Sequence, residues 1–198
     1  MNREAKKAQN KQKIIDAALS LMTKNGFLAT NVRQISQESK ISYVTMYKYF
    51  GNKDELIELV IKKIIDQHTI EVLDYLQKPE MTFVKRLEAL PKQIHLNERM
   101  PEPVIKEFVE ILRQNKSLLD YAKVKADIIL KLIIKEGRKS GLITTPASDE
   151  AIMVLLQAIY IHEQSNPKQM DKIMPDVGQI IMHGLTSDQN FTGVNWHR

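Results

Sequence analysis

Residues 31–56 read N-V-R-Q-I-S-Q-E-S-K-I-S-Y-V-T-M-Y-K-Y-F-G-N-K-D-E-L, which is two short helices joined by a tight turn and followed at once by a third helix start. Asn31 can cap the first helix while Gln34 sits at its third position, and Val32 with Ile35 gives it an apolar edge. Ser39, Lys40 and Ile41 break that pattern. Ser42 is a good cap for the second helix, in which Met46 and Phe50 must be buried while Tyr43, Thr45, Tyr47 and Lys48 can reach outward. A second helix of this kind, held across a tight turn and polar on its outer side, is built to enter a DNA groove.

The charge distribution agrees. The net charge of +5 is spread unevenly over the 198 residues. Residues 1–53 hold ten Lys and Arg against three acids, a net +7, which leaves −2 for the rest. A basic head on a slightly acidic body is the electrostatic pattern of a nucleic-acid reader whose second part stays off the phosphates.

The same stretch resembles the N-terminal domain of the tetracycline-repressor (TetR) family of bacterial transcription regulators. The resemblance rests on Gly26-Phe27, on Thr30, Val32 and Ile35, on Ile41-Ser42, and on Met46-Tyr47 with Tyr49-Phe50 and Asn52-Lys53-Asp54-Glu55-Leu56. It covers roughly the first quarter of the chain. The family usually has Gly in the turn where this sequence has Lys40, so the resemblance implies a slightly strained turn, at a cost of about 1 kcal/mol.

Apolar residues recur at helical spacing almost throughout, and no alternating strand pattern is found, so the chain is expected to be all-α. Ile14, Ile15, Ala18, Leu19 and Met22 mark the first helix, and Leu56, Leu59, Val60, Ile64, Val72 and Leu76 mark a long fourth one over residues 53–77. Later helices are expected over 81–97, 102–115, 117–140, 148–165 and 167–184, with prolines near several starts and Gly141 stopping the longest. The domain reading is a helix-turn-helix head over residues 1–53 and a helical effector-binding and dimerisation domain over 54–198, linked by the fourth helix. The polar end, with its lone Trp196, reads as a loosely held tail.

Zero cysteines exclude a disulfide scaffold, thiolate metal sites and a cysteine nucleophile. The polar N-terminus and the lack of any stretch of ~20 apolar residues lead us to expect a soluble cytoplasmic protein. The seven glycines are too scattered for a phosphate-binding loop. His162-Glu163 begins like a zinc-protease helix, but Asn166 stands where the second histidine would fall, and His68, His95, His162, His183 and His197 are dispersed. No catalytic constellation, metal site or cofactor site is expected.

For DNA, Ser42, Tyr43, Val44 and Thr45 are the candidates nearest the bases, and Tyr47, Lys48 and Lys53 suit the phosphates, with exposed amides at the start of the fourth helix also favouring an anion. The matching family positions imply phosphate contacts for Tyr47 and Lys53. Arg33 and Thr30 would hold the opposite strand. Residues 151–161 are apolar nearly all the way round, and a helix of that kind is buried on more than one side. Ile152, Leu155, Leu156 and Ile159, with Val177, Ile180 and Ile181 on the next helix, are therefore expected at a dimer interface, where the family places its own. By resemblance an effector pocket lies in the body, for which Phe83, Leu87, Phe108, Ile111, Tyr121, Val124 and Ile128 are the candidates. The expectation is a homodimeric regulator of a palindromic operator in double-stranded DNA, a repressor released by an unidentified small molecule. The rival reading is a helical interaction protein whose basic head binds RNA or a protein.

Overall fold

The computed structural model describes residues 3–93, 100–165 and 167–185, and every regular element among them is an α-helix. In order these are α1 (Arg3–Asn25), α2 (Val32–Ser39), α3 (Tyr43–Phe50), α4 (Lys53–Leu76), α5 (Phe83–Gln93), α6 (Glu102–Gln114), α7 (Lys116–Lys139), α8 (Asp149–Ser165) and α9 (Pro167–Leu185). Trp196 and the tail lie outside the described residues, as does the end expected for the fifth helix.

Local signals set the helix ends. Asn31 accepts from the Gln34 amide at 3.0 Å while the Gln34 side chain accepts from the Asn31 amide at 2.8 Å, so two otherwise orphaned donors of α2 are satisfied together. Lys40 ends α2 at φ 57° and ψ 28° and is the one non-glycine residue with positive φ among those described. Ser42 caps α3 through the Thr45 amide, and Asn52 caps α4 through the Glu55 amide at 2.8 Å.

The described residues up to Gln67 form one compact unit with those of 100–122. Its core joins Ile14, Ala18 and Met22 of α1 to Phe27, Ile35, Met46, Phe50 and Val60, and the same cluster takes in Val104 and Phe108 of α6 and Leu118 of α7. The three-helix head is thus not closed by residues 1–53 alone. Phe27 is fully buried, its ring centroid 6.1 Å from that of Phe108. Lys63 is 2.5 Å from Asp16, and this hydrogen bond holds the Asp16 carboxyl below its ordinary pKa.

A polar tie reinforces that junction. One Glu107 carboxylate oxygen accepts from the Phe27 amide at 2.9 Å and the other from the Leu28 amide at 2.7 Å, across about eighty residues of sequence. The approach needs Gly26, which sits at φ +101° and where a Cβ would lie 2.9 Å from Glu107 Oε2.

The described residues of 68–93 and 123–185 form the second unit. Val72, Leu76, Phe83, Leu87 and Leu142 make one of its apolar clusters, and Ile134, Ile143, Ile152 and Met153 another. Gly141, at φ +75°, ends α7 as the sequence implies. Arg138 then fastens the loop before α8, donating to the Thr145 carbonyl at 3.0 Å, to the Ala147 carbonyl, and to the Asp149 carboxylate at 2.5 Å.

Two amide donors on one carboxylate should make Glu107 a stability determinant of the first unit. Glu107→Ala is expected to cost about 1.5–3 kcal/mol in urea unfolding, and Glu107→Gln, which keeps one acceptor, about half as much. Unfolding midpoints for both variants within error of the wild type would dismiss the tie as incidental.

Candidate nucleic-acid interface

α3 buries Met46 and Phe50 against α1 and leaves its other side open. On that open side Tyr43 is 55% exposed, Val44 50% and Tyr47 46%, with Ser42 and Lys48 exposed beside them. Water does not favour three such residues on one eight-residue helix, and they are free to meet a partner surface. Thr45 is half-buried, and its hydroxyl lies 2.9 Å from that of Ser42, so its methyl is the freer recognition group. Tyr49 packs on the core with Phe50, so neither belongs to the open face.

Arg33 is exposed at the start of α2. Thr30 is not: it is 1% exposed and donates its hydroxyl to the Gly26 carbonyl at 2.7 Å, so it closes the α1–α2 turn and is withdrawn as a DNA contact. Lys53 Nζ donates to the Leu28 carbonyl at 2.7 Å, which fixes the ammonium and leaves its other hydrogens for an anion. The start of α4 is less open to a phosphate than expected, because Asn52 occupies the Glu55 amide and two acids, Asp54 and Glu55, stand in the first turn. Leu28 is held at both ends, its amide by Glu107 and its carbonyl by Lys53. Sequence reading missed Glu107, since nothing local ties α6 to a turn about eighty residues earlier.

The seven pocket candidates fall in both units. Phe83 and Leu87 are buried in the apolar cluster of the second unit, while Val124 and Ile128 are exposed there. Phe108 and Ile111 belong to the core of the first unit, and Tyr121 donates to Asp66 at 2.7 Å within that unit. Helical periodicity shows which face is apolar but not what that face meets, and these three make their contacts in the first unit. On α8, Ile152 is 3% exposed inside its own unit's core and so needs no second subunit, and Leu156 packs against the same cluster. Leu155 is 48% exposed and Ile180 of α9 71%, whereas Ile159, Val177 and Ile181 are half-buried. Val154, 65% exposed, joins the open face and was not anticipated. No group of three or more metal-ligating side chains occurs among the described residues, and none of their helices is long and apolar enough to cross a membrane.

Residues 14–60, from the core of α1 into α4, match the model of the bacterial regulatory proteins, tetR family. The chain is 34% identical over 64 residues to the HTH-type transcriptional regulator HbdR of Aromatoleum sp. (strain CIB), a match spanning 32% of this chain and 28% of that protein. It is 32% identical over 57 residues to the HTH-type nicotine-responsive transcriptional repressor HdnoR of Paenarthrobacter nicotinovorans, 29% of each chain. Both matches therefore span only about a third of this chain and less than a third of the relatives' own length. Among solved structures, SmeT, the repressor of the Stenotrophomonas maltophilia multidrug efflux pump SmeDEF, shares the fold over 94% of this chain and 95% of its own, with a TM-score of 0.62 at 16% identity. With its capped helix-turn-helix and exposed α3 face, the head is similar over residues 14–60 to the bacterial regulatory proteins of the tetR family, and the all-helical chain shares its fold with SmeT.

Proposed function

We propose that the protein is a homodimeric, sequence-specific repressor that leaves a palindromic operator when a small molecule binds its helical body. The observation that carries the DNA part is the open face of α3, where Tyr43, Val44 and Tyr47 stand out from a head of net charge +7 over residues 1–53. In a helix-turn-helix that face lies in the major groove, with base edges met by the N-terminal residues and phosphates by the lysines around them.

Dimerisation is supported by the exposed apolar residues Val154 and Leu155 of α8 and Ile180 of α9, which a second copy would remove from water. The repressor and effector parts draw on the relatives: HdnoR is named as nicotine-responsive and SmeT as a repressor. A ligand would act through α4, which runs unbroken from Lys53 to Leu76, so that a change at its distal half alters the spacing of two reading heads. Two half-sites on one face of a duplex require recognition helices about 34–36 Å apart or a multiple of that.

Contacts should separate by type. Lys48→Ala should weaken binding to every duplex and lower the salt slope by about 1, whereas Tyr43→Ala or Thr45→Val should change which sequence is preferred. A selected palindromic duplex should outcompete single strands and RNA at matched salt. Equal affinity for all three would favour a general nucleic-acid binder.

Leu155→Arg would place a charge in the seam and should give monomers or insoluble protein by light scattering. A soluble dimer indistinguishable from the wild type would move the interface elsewhere.

Compounds found by thermal shift should weaken operator binding at saturation, by up to about 150-fold for a coupling of ~3 kcal/mol. A chemically broad set of stabilising compounds that leaves operator affinity untouched would make the body a scaffold only.

A further inference from the structure

We infer that the first turns of α1 form a second phosphate-binding site, which follows the DNA backbone beyond the bases read by α3. The inference rests on the DNA-binding reading above and extends the surface that performs it. Arg3, Lys6, Lys7 and Asn10 recur at helical spacing along one side of α1, and together with Lys48 and Tyr49 of α3 they line a cleft of about 490 Å³. Four cations face it against one carboxylate, Glu4. None of the four is in an ion pair among the described residues.

Such an arrangement is unfavourable in the free protein for two reasons. Like charges converge on one cleft, and Arg3, Lys6 and Lys7 stand at the positive end of the α1 macrodipole, where acids are the stabilising choice. Both penalties are relieved by an anion. These residues do no packing that would account for them, since Arg3, Lys6 and Lys7 are exposed and the core begins only at Ile14. From residue 3 to residue 10 the helix rises about 10 Å, enough to follow two or three charges of one strand at ~3.4 Å of duplex axis each. The partner is the phosphate backbone and not a compact anion, because the cations are strung along a helix and end on Lys48, the last basic residue of the reading helix.

The test uses the full chain and a duplex selected from a random pool, with and without base pairs flanking the preferred site. The triple variant Arg3→Ala/Lys6→Ala/Lys7→Ala should keep the wild-type sequence preference. Its salt slope should fall by about 0.9 for each phosphate it no longer neutralises, so that its loss of affinity between 50 and 200 mM salt is about 40-fold smaller than that of the wild type. Trimming the flanks should weaken the wild type and leave the triple variant unaffected. Lys139→Ala, an exposed cation of the second unit, should change nothing. If the triple variant folds poorly by circular dichroism, Lys6→Gln and Lys7→Gln are read singly, each expected to remove about 0.9 from the slope. A folded variant with the wild-type slope overturns the inference. So does one that loses affinity for inorganic triphosphate while keeping that slope, which would mark a small-anion site. A wild type with no preferred duplex would instead sink the underlying DNA-binding reading, and the inference with it.

Discussion

The carboxylate of Glu107 is the constraint on which the reading head depends. A turn as short as the one between α1 and α2 leaves backbone amides facing outward, and here Phe27 and Leu28 give theirs to a side chain from α6. The same turn is closed from within by Thr30 and from the other side by Lys53. Three polar ties on five residues fix where α2 begins, and α2 in turn sets the angle at which α3 is offered to a groove. The apolar core follows the same connection, since Phe108 lies one residue after Glu107 and its ring sits tilted beside that of Phe27.

Much of this could be read from the sequence, where the signal was local. The Asn31 and Gln34 pair, the Ser42 cap and the inward Met46 and Phe50 are decided by residues within four positions of one another, and each is found as expected. The αL conformation of Lys40 follows from the same kind of reasoning, by comparison with the glycine usual in its place. What the spacing left undecided was which way a side chain turns and what it meets. Thr30 looked like a phosphate contact because its hydroxyl stands beside α2, yet the turn folds it inward onto the Gly26 carbonyl. Phe108, Ile111 and Tyr121 sit on an amphipathic pattern expected at a pocket, and they make contacts within the first unit. Ile152 and Leu155 are three residues apart on one apolar helix, and only the fold separates the buried one from the exposed one.

The placement of charge is also clearer in three dimensions. The start of α4 carries its own acids and cap, so anion binding there falls to the Lys53 side chain more than to open amides. The richer concentration of unpaired cations lies across α3, at the beginning of α1. Were both basic flanks to meet phosphates, the head would hold the backbone on either side of the bases read by α3, which would limit how far it could rock in the groove.

Lys40 sets two demands against each other. A residue with a side chain held at φ 57° costs on the order of 1 kcal/mol that glycine would not, yet glycine would also remove a positive charge from the head. Firmness and grip are therefore traded at a single turn, and a head selected only for thermal endurance would drift toward glycine there and hold its DNA a little less tightly.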